Sequence, residues 1–147
     1  MKILEVYFDG SCGPKNPGGT AAYGYAVYSV VDRELIHTGY GRVISGAAAS
    51  NNVGEYAGLY EAMKFIAEKY PNTPTVFYGD SSLVINQMNG VAKAKKGLYI
   101  PYYLKAIQLA EPYITSGLWS FEWIPRDMNS VADELSQYSR YEERSSP

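Results

Sequence analysis

Three segments rich in β-forming residues open this chain with only short turns between them, and the next such segment arrives after a long helical stretch. Residues 2–8 predict a first strand ending at Asp9-Gly10. Residues 20–31, where Tyr23, Tyr25 and Val27 alternate with small residues, predict a second, and 34–44 a third, with Asp32-Arg33 as the hairpin turn between them. Short turns make these three antiparallel, whereas a strand reached through a helix can return parallel beside the first by a right-handed crossover. That helix is marked by Val53, Tyr56, Tyr60, Met63, Ala67 and Tyr70 at helical spacing behind Ser50-Asn51-Asn52, and Pro71 closes it. Residues 75–78 then predict strand four and 81–88 a helix opened by Asp80 and stopped near Asn89-Gly90. Residues 102–110 predict a helix between Pro101 and Pro112, 118–124 strand five, and 130–138 a last helix. In such an α/β arrangement strands one and four are central neighbours, and their carboxyl ends carry Asp9 and Asp80. Ligands of open α/β sheets collect at such ends, where neighbouring connections diverge.

The chain of 147 residues suits one domain, taken as residues 1–138 with a polar, fraying tail over 139–147, and it holds no internal repeat. With 46% apolar residues but no apolar run of 18, nothing predicts a membrane span. An acidic residue in Met1-Lys2-Ile3-Leu4-Glu5 argues against a secretory signal, and the lone Cys12 has no partner, so a reducing cytoplasm is the expected compartment. A net charge of −2 argues against nonspecific binding to polyanions, because that needs clustered Lys and Arg, so a nucleic-acid role would need a local basic patch and metal ions. The one local basic run is Lys93, Lys95 and Lys96, with Lys105 farther on.

Four carboxylates, Asp9, Glu55, Asp80 and Asp133, stand at the ends of apolar segments. Each has a bland explanation: Asp9-Gly10 as a turn, Asp80 as a helix N-cap, Glu55 and Asp133 as partners of Asn52 and Ser130 in helix-start pairs. Caps and turns have no reason to share one end of a sheet. A hard divalent cation does need several oxygens in one place.

The residues that carry a resemblance are Asp9-Gly10-Ser11-Cys12 with Asn16-Pro17-Gly18-Gly19, then Asn51-Asn52 before Glu55 and Gly58-Leu59, then Asp80-Ser81. Last comes Trp123-Ile124-Pro125-Arg126, followed by Asn129, Ala132-Asp133 and Leu135. In this order and spacing they resemble type 1 ribonuclease H, in the branch that lacks a loop histidine. The resemblance implies a ribonuclease H-like fold: a five-stranded mixed sheet, three antiparallel strands plus two parallel, flanked by helices. It also implies an endonuclease that cleaves the RNA strand of RNA/DNA hybrids. Asp9, Glu55, Asp80 and Asp133 match the family's catalytic, metal-binding acids, which would hold two Mg2+ ions, with Mn2+ as a substitute. Acids so crowded repel, so at least one should bind a proton more readily than a free carboxyl.

Recognition of RNA requires sensing the 2′-hydroxyl, which donates and accepts a hydrogen bond. Asn16, Asn51 and Asn52 match the family's minor-groove contacts, Gly10, Ser11 and Cys12 would let the backbone approach the hybrid, Lys93, Lys95 and Lys96 would grip the DNA strand, and Arg126 would meet a phosphate. Against these stand turn chemistry for the Asn and Gly residues and a solvated loop for the lysines. His37, the only histidine, falls in strand three and is expected to be structural. Trp119 and Trp123, on one face of strand five, are both expected to pack. The expected species is a monomer whose partner is an RNA/DNA hybrid and not a membrane. Two other functions fit the same acids less well: another nuclease of this fold, such as a resolvase or exonuclease, and a non-catalytic nucleic-acid-binding module.

Overall fold

In a computed structural model, which describes residues 3–144, β1 (Leu4–Gly13), β2 (Thr20–Ser29) and β3 (Leu35–Ser45) are consecutive antiparallel neighbours. β4 (Thr75–Gly79) joins the other side of β1 in parallel, and β5 (Trp119–Trp123) joins β4 in parallel. The sheet order is β3-β2-β1-β4-β5, as a crossover beside the first strand requires. α1 (Asn51–Lys69) and α3 (Ile100–Thr115) pack together, α2 (Ser82–Met88) follows β4, and α4 (Ser130–Arg144) lies across β2, β1 and β3.

The core lies between the sheet and α1. Leu4, Val6 and Phe8 of β1 alternate inward and are fully buried with Val53, Tyr56, Leu59, Met63 and Ile66 of α1. Each large aliphatic side chain buried there contributes about 1.5–3 kcal/mol relative to exposure. α1 begins at Asn51 because the Ser50 hydroxyl accepts from the Val53 amide at 3.2 Å. Two glycines let the helix lie close on the sheet: a Cβ at Gly10 would stand 2.1 Å from the Glu55 nitrogen, and one at Gly54 would stand 2.5 Å from the Ala22 carbonyl oxygen. Gly24 does the same beneath α4, where a Cβ would meet the Ser136 nitrogen at 2.6 Å.

Several boundaries differ from expectation. β1 does not stop at Asp9-Gly10; it runs to Gly13, because its pairing with β2 continues to Gly13↔Thr20 after its pairing with β4 has ended at Tyr7↔Tyr78. α3 is longer at both ends and contains Pro112, whose carbonyl still accepts from the Ser116 amide. α4 continues past Tyr138 to Arg144; residues 145–147 of the expected tail lie outside the described residues. Trp119 packs as expected, stacked on Tyr113 at 4.0 Å between ring centroids. Trp123 does not: it pairs with Gly79, which offers no side chain to flank it, and it is 54% exposed. Among the described residues no helix is long and apolar enough to cross a membrane.

Candidate active site

The site lies where β1 and β4 part. Asp9 is two residues beyond the last β1–β4 pair, on the part of β1 held by β2 alone, and Asp80 follows the last residue of β4. Glu55 reaches the same place because the Gly10–Gly54 contact brings the second turn of α1 onto β1. One carboxylate oxygen from each of Asp9, Glu55 and Asp80 lies within 4.8 Å of the others. Asp133, in the first turn of α4, is not in that group; its Oδ1 accepts from Gln137 Nε2 at 3.2 Å, and its charge still acts on Asp9.

None of the four acids serves the structural role that local sequence suggests. Asp9 is in a continuous strand, not a turn. The cap of α2 is Ser81, whose hydroxyl accepts from the Val84 amide, and not Asp80. The cap of α1 is Ser50, which leaves Glu55 buried one turn inside the helix. The Asp133 amide donates to the Asn129 carbonyl as an ordinary helical bond.

Burial and crowding change the acidity of this group. Asp9 is pushed up to about 7, first by burial, against a hydrogen bond from Glu55 that lowers it, and further by the charges of Asp80 and Asp133. Glu55 is raised well above the ordinary range, first by burial and then by the charge of Asp9. Oδ2 of Asp9 and Oε2 of Glu55 are buried with no donor when both groups are ionised. A cluster of hard oxygens with unsatisfied negative charge fits a divalent cation better than any internal partner present.

The other expected residues are distributed around this centre. The Asn16 side-chain oxygen accepts from the Asn51 amide at 2.9 Å, and the Gly18 amide donates to the Ala49 carbonyl. These bonds hold the β1–β2 loop against the start of α1, so Asn16, Asn51 and Asn52 share one patch. Gly10 is buried beneath α1, the Ser11 hydroxyl donates to the Ser136 carbonyl, and the Cys12 thiol donates to the Lys15 carbonyl. Lys93, Lys95 and Lys96 are exposed in the connection between α2 and α3, and Arg126 is exposed in a 3-10 turn (Arg126–Met128). His37 stacks on Phe65 with ring centroids 3.8 Å apart, and burial lowers its pKa, as a structural histidine requires.

Three features were not legible in the sequence. Asn129 is 1% exposed, and its side-chain nitrogen donates to the Phe8 carbonyl at 2.9 Å and to Asp80 Oδ2 at 3.1 Å. The Trp123 indole donates to the Asp80 carbonyl at 3.1 Å. Gln87, also buried, donates to the Tyr99 hydroxyl and the Lys93 carbonyl and accepts from the Tyr56 hydroxyl, tying the lysine-bearing connection to α1. Only the place of Asn129 in the spacing around Asp133 offered any signal.

Residues 9–139, from the first acid to beyond the last, match the family described as reverse transcriptase-like. The chain belongs to that family. Within it the similarity is to type 1 ribonuclease H. The N-terminal RNase H domain of Rv2228c from Mycobacterium tuberculosis superposes with a TM-score of 0.78 at 26% identity, over 95% of this chain and 94% of that one. RNase H1 of the halophilic archaeon Halobacterium salinarum gives 0.77 at 26% identity, over 95% and 98%. LC11-RNase H1 in complex with an RNA/DNA hybrid gives 0.83 at 23% identity, over 97% and 99%, a likeness of fold. By sequence the chain is 31% identical to the bifunctional protein Rv2228c over 133 residues, which are 90% of this chain and 35% of that protein. It thus spans about a third of the length of the curated relatives it matches. The chain is therefore a ribonuclease H-type domain with an acidic triad whose oxygens lie close enough together to share a metal ion.

Proposed function

We propose that this chain is an endonuclease that hydrolyses the RNA strand of RNA/DNA hybrids with two divalent ions, Mg2+ or in its place Mn2+. The observation that carries this is the convergence of Asp9, Glu55 and Asp80 from three separate elements, with two buried carboxylate oxygens left without donors. Asp9, Glu55 and Asp80 would hold the ions, with Asp133 completing the set from α4. Divalent ions there supply the charge that activates a water and stabilises the leaving 3′-oxygen. The protein's own part is to keep these carboxylates together against their repulsion and to align the RNA strand over them.

For alignment, the patch of Asn16, Asn51 and Asn52 offers amide donors and acceptors suited to 2′-hydroxyl groups. Ser11 and Cys12, half-buried, would line the approach of the RNA backbone, with Gly10 beneath α1 setting their position. Lys93, Lys95, Lys96 and Arg126 would neutralise phosphates, the lysines on the DNA strand. The hybrid bound by LC11-RNase H1, which shares this fold, supports that choice of substrate. We infer also a cytoplasmic monomer, in keeping with one unpaired cysteine.

The test is cleavage of four matched duplexes with Mg2+: RNA/DNA hybrid, double-stranded RNA, double-stranded DNA, and DNA with one ribonucleotide. The expected result is cutting of the hybrid's RNA strand alone, abolished by Asp80→Asn. A folded protein that cuts nothing with Mg2+ or Mn2+ would refute the proposal.

A further inference from the structure

Asn129 is a fully buried polar side chain that touches a carboxylate of the site and has no part yet in the proposed chemistry. Both hydrogens of its amide are committed, one to the Phe8 carbonyl and one to Asp80 Oδ2. The Phe8 carbonyl belongs to the stretch of β1 that has just left its parallel partner, since β1–β4 pairing ends one residue earlier. Asp80 stands on the other side of the same gap. The Asn129 amide therefore bridges the opening between β1 and β4 in which the acids sit. Its main chain does a third thing: the nitrogen closes the 3-10 turn on the Arg126 carbonyl, and the carbonyl accepts from the Asp133 amide, the first bond of α4. One residue thus joins the strand of Asp9, the side chain of Asp80 and the helix of Asp133.

The remaining atom argues that this bridge is not there for packing alone. Oδ1 of Asn129 is buried with no partner. An orphaned buried acceptor is costly, and packing alone would favour an apolar residue of this size. The amide is held in this orientation because its donors are needed by an acid and a carbonyl at the site.

We propose that Asn129 is a positioning residue that fixes the Asp80 carboxylate for metal binding by engaging Oδ2 and leaving Oδ1 to the cluster. This rests on the metal-dependent reading of the site but not on the identity of the substrate. Groups that orient metal-binding carboxylates typically contribute on the order of 10–100-fold in metal affinity or activity.

The experiment compares wild type with Asn129→Leu, close in volume but without hydrogen bonds, and with Asn129→Ala, which leaves room for a bridging water. Three quantities are read: Mg2+ and Mn2+ affinity by titration calorimetry, the melting temperature in EDTA, and kcat and KM on the hybrid. The expected result is metal affinity weakened by about tenfold or more in Asn129→Leu, kcat lowered by a similar factor, KM for the hybrid nearly unchanged, and a smaller loss in Asn129→Ala. A lower melting temperature with metal affinity and kcat unchanged would make Asn129 a purely structural residue and overturn the proposal. So would failure of both variants to fold. If wild type binds metal but cuts no hybrid, the substrate assignment falls, and the calorimetric comparison still decides the role of Asn129.

Discussion

Replacing Asp9 with Asn should make the metal-free protein more stable at neutral pH while abolishing its response to Mg2+. The Asp9 carboxyl ordinarily ionises near 3.8 and in the fold does so at about 7, mainly because it is buried. Between those values the folded protein holds a proton that the unfolded chain has released, so raising the pH favours the unfolded chain. Stability therefore falls as pH rises from about 4 to about 7 and levels off above, where the loss is complete. A displacement of this size corresponds to about 4 kcal/mol at most. An amide at position 9 avoids it, and the neighbouring Glu55 and Asp133 carboxylates can accept from its nitrogen. For a domain of this length about 2–4 °C per kcal/mol is expected, so Asp9→Asn should melt roughly 5–15 °C above wild type at pH 8 in EDTA. At pH 4.5 the difference should shrink to about 1 kcal/mol, since folded Asp9 is then protonated and the unfolded residue, although already mostly ionised, lies less than about one pH unit above its own pKa and so gains little by it. Saturating Mg2+ should raise the melting temperature of wild type at pH 8 by mass action and leave the variant unmoved. Circular-dichroism melts at the two pH values, with EDTA and with Mg2+, measure all of this. If Asp9→Asn melts at or below wild type at pH 8 in EDTA, the account of buried, mutually repelling acids is wrong.

Gly10→Ala should cost more than about 3 kcal/mol in chemical denaturation, because its Cβ would lie 2.1 Å from backbone that cannot move without shifting α1; a loss under about 1 kcal/mol would contradict the close contact. Gln87→Leu should lower stability by about 1–3 kcal/mol by leaving the Tyr56 and Tyr99 hydroxyls without their buried partner, and proteolysis of the Lys93 connection should quicken. Changing Lys93, Lys95 and Lys96 together to Ala should reduce the salt dependence of hybrid binding, by up to about 0.9 in the logarithmic slope for each phosphate that is no longer neutralised; an unchanged slope would make them an ordinary solvated loop.

Much of the architecture could be read from periodicity, because its elements are long and their faces distinct. The three leading strands, the helix from Ser50 and the parallel fourth strand all appear where alternation or helical spacing places them. The errors arise where a distant segment decides the outcome. Asp9-Gly10 has the composition of a turn, yet glycine is needed there because α1 presses on β1 from 45 residues away. The two capping pairs inferred for Glu55 and Asp133 use the right residue types, but Ser50 caps α1 instead. Trp123 shares its strand face with Trp119, and nothing local shows that its cross-strand neighbour is a glycine at a strand end. Three of the four acids read from the sequence, Asp9, Glu55 and Asp80, do come together; the amide and indole groups that hold Asp80 were not legible, because hydrogen-bond partners across a fold leave no periodic trace in a chain.

The order in which the chain leaves the ribosome gives the Asn129 bridge a further meaning. Asp9, Glu55 and Asp80 emerge within the first 80 residues, yet Asn129 and α4 come some fifty residues later. Synthesis adds about 5–20 residues per second, and N-terminal parts begin to fold first. A nascent chain therefore spends seconds with three acids made but the gap between β1 and β4 still open. The bridge across the acid cluster forms only when α4 docks on the sheet, so a bridged cluster reports that α4 is in place.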